Sequence, residues 1–343
     1  MEEYVLRTYN LCKKLGARNV VDHLNLSIRK GDIYGFIGPN GAGKTTAMKV
    51  ILSLLDPSEG VIELFGRTDY RESLHRVGSL IEAPGLYPDC SAYENMKRFS
   101  IISGGDDMQI AELLNMVGLD NVGKKKVRAF SLGMKQRLGI AVALLGSPEL
   151  LILDEPVNGL DPMGMRDVRD VIQRINKEMG VTFFISSHLL GELEKISTVY
   201  GIIKNGVLTD EITAEELSKK CQGNIRVRST QPQKALELIR SNFENSDPVL
   251  NGEYIDVKAD SSLTAAINRI LVMNNIGVTE LGYRTVGYED YLIQQMGLPP
   301  AYGNMPMPPM PPVQPGYPMP PMPPMQPMPP AQQIQQGGAN NNA

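Results

Sequence analysis

Cysteine is scarce in this chain: Cys12, Cys90 and Cys221 are the only three in 343 residues, far apart and odd in number. No disulfide framework or cysteine metal motif has that spacing, so a reducing compartment is expected and the cysteines read as packing residues. A basic excess is also missing, since 34 Lys+Arg stand against 38 Asp+Glu for a net charge of -4. That balance argues against nucleic-acid binding, whose footprint is a basic surplus. No apolar run approaches the ~18 residues of a membrane span, and the acidic start Met1-Glu2-Glu3-Tyr4 lacks the apolar segment of a secretory signal. The expectation is a soluble, cytoplasmic chain that reaches a membrane only through another polypeptide. Of three histidines, His23 and His75 read as surface or packing residues. Only His188 falls where a chemical role is supported.

What the sequence does contain is organised around Gly38-Pro39-Asn40-Gly41-Ala42-Gly43-Lys44-Thr45-Thr46. The apolar run Ile33-Tyr34-Gly35-Phe36-Ile37 before it reads as a short buried strand, and residues 46–55 have helical spacing. Strand, glycine-rich loop and helix form the context in which G-x-x-x-x-G-K-[ST] is a phosphate site. Glycines let the loop turn its N–H groups inward, and the helix N-terminus adds partial positive charge. Lys44 is placed to reach the β- and γ-phosphates, and the Thr45 hydroxyl to hold Mg²⁺. The ligand is a nucleoside triphosphate. Asn176-Lys177-Glu178-Met179 lacks the aspartate that would read guanine.

Further along, Leu150-Leu151-Ile152-Leu153 runs into Asp154-Glu155-Pro156. An unbroken apolar run suits a parallel strand buried on both faces. Carboxylates at its C-terminal end sit where open α/β sheets place their ligands. Asp154 suits the Mg²⁺-associated acid, and Glu155 a base that polarises the attacking water. A second buried strand, 181–187, delivers His188 to the same edge. Between these parts the pattern from about 92 to 145 is mostly helical, ending in Phe130-Ser131-Leu132-Gly133-Met134-Lys135-Gln136-Arg137.

In this order, the phosphate loop, helical insertion, Ser-x-Gly signature, Asp-Glu strand, Asn158-Gly159-Leu160-Asp161 loop and His188 resemble the ATP-binding subunit of an ABC transporter. The wording of 31–38 and 131–136 is similar to the bacitracin-resistance and lantibiotic-immunity branch. The resemblance covers about 4–212. It implies an α/β P-loop fold of ABC type: a mixed sheet core with an antiparallel β-subdomain and an inserted helical subdomain at about 86–147, all within 1–220. It further implies a head-to-tail dimer holding two ATP and Mg²⁺ at its interface. In that picture Ser131 and Gly133 of one copy cap the γ-phosphate bound by the other. His188 contacts the γ-phosphate and Asp161 communicates across the interface. Export would run through separate membrane permease subunits, with this chain peripheral on the inner face of the membrane. Three positions depart from the family pattern. The signature reads Ser131-Leu132-Gly133-Met134 where Ser-Gly-Gly-Gln is usual. Leu15 stands where an aromatic often stacks on adenine, and Tyr9, read as lying on the preceding strand, is a poor substitute. Glu82 replaces a glutamine that commonly contacts Mg²⁺. Its carboxylate can ligate Mg²⁺ but repels the γ-phosphate, which predicts a raised need for the ion. The competing reading is a soluble ABC ATPase acting on a ribosome or DNA. The single phosphate loop and the absence of a coiled-coil insertion between 46 and 150 weigh against it.

Residues 221–298 read as strand, helix, strand, helix, strand, a small α+β domain of ferredoxin-like order, closed by a helix at 288–296. No catalytic constellation appears there, and a regulatory or dimer-supporting role is expected. The remainder, 299–343, is dominated by Met-Pro-Pro repeats and Gln and Asn runs. Proline this dense favours extended polyproline II over a packed core, so the tail is expected to be disordered.

Overall fold

The computed structural model describes residues 3–221, 223–243, 246–284 and 291. The helix expected at 288–296, apart from Tyr291, and the tail at 299–343 lie outside the described residues. An antiparallel sheet opens the chain. Strand β1 (Tyr4–Leu15) pairs along one edge with β2 (Arg18–Leu24) and then β3 (Ser27–Arg29), and along the other with β5 (Glu59–Leu64), since Leu6 and Arg7 pair with both β3 and β5. Tyr9 and Leu15 therefore share one twelve-residue strand. Between β3 and β5 come β4 (Ile33–Ile37), the phosphate loop and α1 (Lys44–Ile51).

The central sheet continues with β6 (Val77–Leu80). After α2 (Ala92–Ser103), α3 (Asp107–Met116) and α4 (Leu132–Ala143) come β7 (Leu150–Asp154), α5 (Pro162–Met179) and β8 (Thr182–Ser187). The short α6 (Leu190–Leu193) leads to β9 (Val199–Lys204), β10 (Val207–Thr213) and α7 (Ala214–Lys220). Strand order is β10-β9-β4-β8-β7-β6, parallel except for the antiparallel edge strand β10. Burial on both faces explains the unbroken apolar runs. Leu151 and Leu153 join the core that packs α2 to α5, whereas Leu150 and Ile152 join the core beneath α1 and the antiparallel sheet. The β9–β10 hairpin turns at Asn205-Gly206 with φ of +51° and +86°.

Helix boundaries follow their caps. Ser91 and Glu94 form a reciprocal capping box at α2, and Ser131 caps α4 through the Met134 N–H. Asp161 and Pro162 start α5, and Gly180 at φ +67° ends it. On α5, Val168, Val171, Ile172 and Ile175 face the core at three- and four-residue intervals.

The last part comprises β11 (Asn224–Ser229), α8 (Pro232–Asn242), β12 (Val249–Asn251), β13 (Tyr254–Lys258), α9 (Thr264–Met273) and β14 (Val278–Arg284). Its sheet runs β12-β13-β11-β14, antiparallel throughout, around its own apolar core. The three-strand expectation missed β12. That strand is three residues long and half exposed, too short for a periodic signal.

Candidate active site

The phosphate loop is folded by its own glycines. Gly41 and Gly43 take φ of +78° and +106°, a region that side chains with a Cβ rarely enter. A Cβ on Gly43 would also stand 2.4 Å from the Val20 carbonyl oxygen. Gly43 then opens α1, so Lys44 and Thr45 occupy its first turn. The loop lines an open cleft together with Val20, Glu155 and Asn158.

Lys44 is buried, and its ammonium donates to the Gly38 carbonyl at 2.7 Å and lies 3.3 Å from Glu155 Oε1. Thr45 Oγ1 donates to Asp154 Oδ2 at 2.7 Å, and Ser186 Oγ donates to Asp154 Oδ1 at 2.5 Å. The Glu155 N–H in turn donates to Ser186 Oγ at 2.9 Å. Glu155 is held at φ +50°, a strained conformation that costs about 1–3 kcal/mol and tends to persist where function requires it. The bend directs Oε1 toward Lys44 and leaves Oε2 only 2.7 Å from His188 Nδ1. One chain thus brings together Lys44, Thr45, Asp154, Glu155 and His188.

Two hard oxygen donors on Thr45 and Asp154, facing each other at 2.7 Å, suit a divalent ion that prefers oxygen ligands. The N-terminus of α1, which opens on this loop, and the Lys44 ammonium suit polyphosphate. The Glu155–His188 contact suits a carboxylate oriented to accept a proton.

Other expected residues stand apart. Ser131 is exposed at the start of α4, and Gly133 packs toward Gly164 at the start of α5. Asp161 accepts the Gly164 N–H at 3.0 Å. Leu15 is 48% exposed and pairs with Arg18 at the tip of the β1–β2 hairpin. Tyr9 is committed to Glu63 through its hydroxyl. Glu82 takes φ +65° in the loop after β6 and binds Lys49 of α1 at 2.6 Å. Lys49 holds the Glu82 carboxyl below its usual range, chiefly by hydrogen bonding.

Ser186 and the Asn205-Gly206 turn escaped the sequence reading. Ser186 ties both carboxylate residues to β8. At the turn, the Gly206 N–H donates to the Ala42 carbonyl at 2.8 Å, and the Gly206 carbonyl accepts the Asp22 N–H at 2.9 Å. Asn-Gly is a hairpin signal, but nothing in the sequence says that the hairpin buttresses the phosphate loop.

The ABC transporter family model matches residues 21–158. The bacitracin transport ATP-binding protein BcrA of Enterococcus faecalis is 40% identical over 300 residues, 86% of this chain and 97% of that protein. The lantibiotic transport ATP-binding protein SrtF of Streptococcus pyogenes is 48% identical over 202 residues, 59% of this chain and 88% of its own. Among solved structures, an ATP-binding subunit of an ABC transporter superposes with a TM-score of 0.55 at 27% identity, over 63% of this chain and 92% of that one.

Proposed function

The chain belongs to the ABC transporter family and is an ATP-binding, ATP-hydrolysing subunit; we propose that Mg²⁺-ATP hydrolysis here drives export of a peptide antibiotic or drug through separate membrane subunits. The observation that carries the reading is the joined cluster of Lys44, Thr45, Asp154, Glu155 and His188 at one sheet edge. The substrate class rests on the likeness to BcrA and SrtF, whose names specify bacitracin and lantibiotic transport.

In this reading the loop N–H groups and Lys44 bind the β- and γ-phosphates, and Thr45 and Asp154 hold Mg²⁺. The ion would neutralise charge that develops on the transferred phosphoryl group. Glu155 accepts the proton of the water that attacks the γ-phosphorus as the β–γ bridging P–O bond breaks. His188 fixes Glu155 and reaches toward the γ-phosphate. Glu82, in its short loop, adds an oxygen ligand or a negative charge near the ion.

Ser131 and Gly133 sit at the exposed N-terminus of α4, an end rich in unpaired N–H groups. They complete the site on a second copy of the chain, with Asp161 nearby at the start of α5. ATP binding closes that dimer and hydrolysis opens it. The organisation proposed is an ATP-binding domain at 1–220, an accessory domain at 221–298 and a tail at 299–343. Because the BcrA alignment spans 300 residues, it extends past the ATP-binding domain into the accessory domain, for which a regulatory or dimer-supporting role is proposed. Among the described residues no helix is long and apolar enough to cross a membrane, so the chain would sit on the inner face of the cell membrane through its permease.

The test is to capture a Glu155→Gln variant with ATP from detergent-solubilised membranes. A multi-span membrane protein and a dimer are expected to be recovered, with the dimer lost when Ser131→Arg is added. Recovery of ribosomes or DNA instead would overturn the transporter reading.

A further inference from the structure

A β-bulge on the first sheet gathers three side chains that lie far apart in kind and ten residues apart in sequence. Between the pairs Leu11↔Leu24 and Lys13↔Val21 the β1–β2 register shifts, so Asp22 and His23 both stand against the single residue Cys12. Such bulges re-aim side chains and recur beside functional sites. His23 takes φ +49° at the bulge. As a result Cys12 Sγ, an Asp22 carboxylate oxygen and a His23 ring nitrogen all lie within 4.8 Å of one another. His23 Nδ1 is 2.9 Å from Asp22 Oδ1, and the His23 backbone N–H points at Cys12 Sγ across 3.3 Å.

We propose that Cys12, Asp22 and His23 form a binding site for a borderline divalent transition-metal ion of the Zn²⁺ class. Thiolate, imidazole and carboxylate are together the donor set such ions take, whereas Ca²⁺ and Mg²⁺ take oxygen alone. Tetrahedral coordination with bonds of about 2.0–2.3 Å sets ligand atoms roughly 3.3–3.8 Å apart. From the observed spread this requires movements of about an ångström, and the His23 side chain, 66% exposed, is free to supply them. The Cys12 thiol is a free cysteine and is buried under the bulge. On coordination it releases its proton to solvent, and the N–H already aimed at sulfur steadies the thiolate. Glu59 stands opposite Cys12 in the β1–β5 register, with Lys14 on its carboxylate at 2.9 Å. Glu59 lies outside the three-residue cluster, so water supplies the fourth position.

The place of the site gives it a consequence. The Asp22 N–H donates to Gly206, and the Gly206 N–H donates to Ala42. Two main-chain hydrogen bonds therefore separate the bulge from the phosphate loop.

The experiment is a Co²⁺ titration of the reduced full-length protein, read by the thiolate-to-Co²⁺ charge-transfer band in the near ultraviolet, followed by displacement with Zn²⁺. One equivalent is expected to give the band. Cys12→Ser should abolish it, while Cys90→Ser and Cys221→Ser keep it. His23→Asn retains a residue tolerant of the left-handed backbone, so it guards against a folding failure in Cys12→Ser. Its affinity should fall at least about tenfold, since even outer-shell partners of metal ligands are worth that much. No band in the unmodified protein, a band that survives Cys12→Ser, or unchanged affinity in His23→Asn would overturn the proposal.

Discussion

The Thr45 hydroxyl donates to the Asp154 carboxylate across 2.7 Å, although the two residues are 109 positions apart. The bond ties the first turn of α1 to the C-terminal end of β7. It exists because β4 and β7 both pair with β8 in parallel, so their C-terminal ends come to the same edge. Asp154 is buried, and its second oxygen is taken by Ser186.

Asp154→Asn keeps the shape of this junction and removes its charge. Phosphate release should fall by roughly 10²–10³, the usual cost of deleting one aimed electrostatic group. The melting temperature should stay near that of the unmodified protein. Steady-state phosphate release and thermal melts decide the matter, and activity within a few-fold of the original would refute the assignment.

Glu82 is paired with Lys49, which offsets part of its charge. The remaining repulsion toward phosphate is that of an exposed carboxylate, weakened by solvent screening. Glu82→Gln should therefore lower the Mg²⁺ concentration for half-maximal hydrolysis by a few-fold. A Mg²⁺ dependence that does not move would sink the idea.

Gly206 sits at φ +86°, and a Cβ there would stand 2.6 Å from the Val20 carbonyl oxygen. Gly206→Ala should destabilise the chain by about 1–3 kcal/mol through backbone strain. It should also weaken ATP binding, because the turn loses its hold on Ala42. Melting curves and equilibrium binding of a fluorescent ATP analogue test both effects. A stable variant with full affinity would show that the turn does not support the loop.

Glu94, in its capping box, receives the Ser91 backbone N–H, and with Lys126 beside it the carboxyl is pushed down to about 2. An unfolded glutamate titrates near about 4.3. A carboxyl depressed in the folded state contributes stability that is present above the unfolded value and lost as the pH falls through the folded one. Glu94→Gln preserves the cap and cannot titrate. It should flatten the decline of melting temperature between about pH 4.3 and about pH 2. A slope equal to that of the unmodified protein would exclude Glu94 as a contributor.

The phosphate loop, the carboxylates at the end of β7 and the family were readable from the residues alone, because local chemistry dictates them. Only glycine folds a loop at φ +106°, and only strands buried on both faces run apolar from Leu150 to Leu153. The Ser131-x-Gly133 signature was legible as a motif, whereas the cap that Asp161 supplies to α5 was not read from the sequence. Features that depend on register and close approach emerge only once the chain is packed. Ser186 looks like any strand serine until β7 and β8 pair and set its hydroxyl between Asp154 and Glu155. Glu82 reads as a bare charge until α1 presents Lys49 to it. The Asn205-Gly206 turn carries no hint of its role until β9 pairs with β4 and brings it against Ala42. Cys12 and His23 read as packing and surface residues, and their spacing shows no metal pattern. A single-residue slip in the β1–β2 register brings them together with Asp22. Pairing register between distant segments is a property of the packed sheets, and no window of sequence carries it.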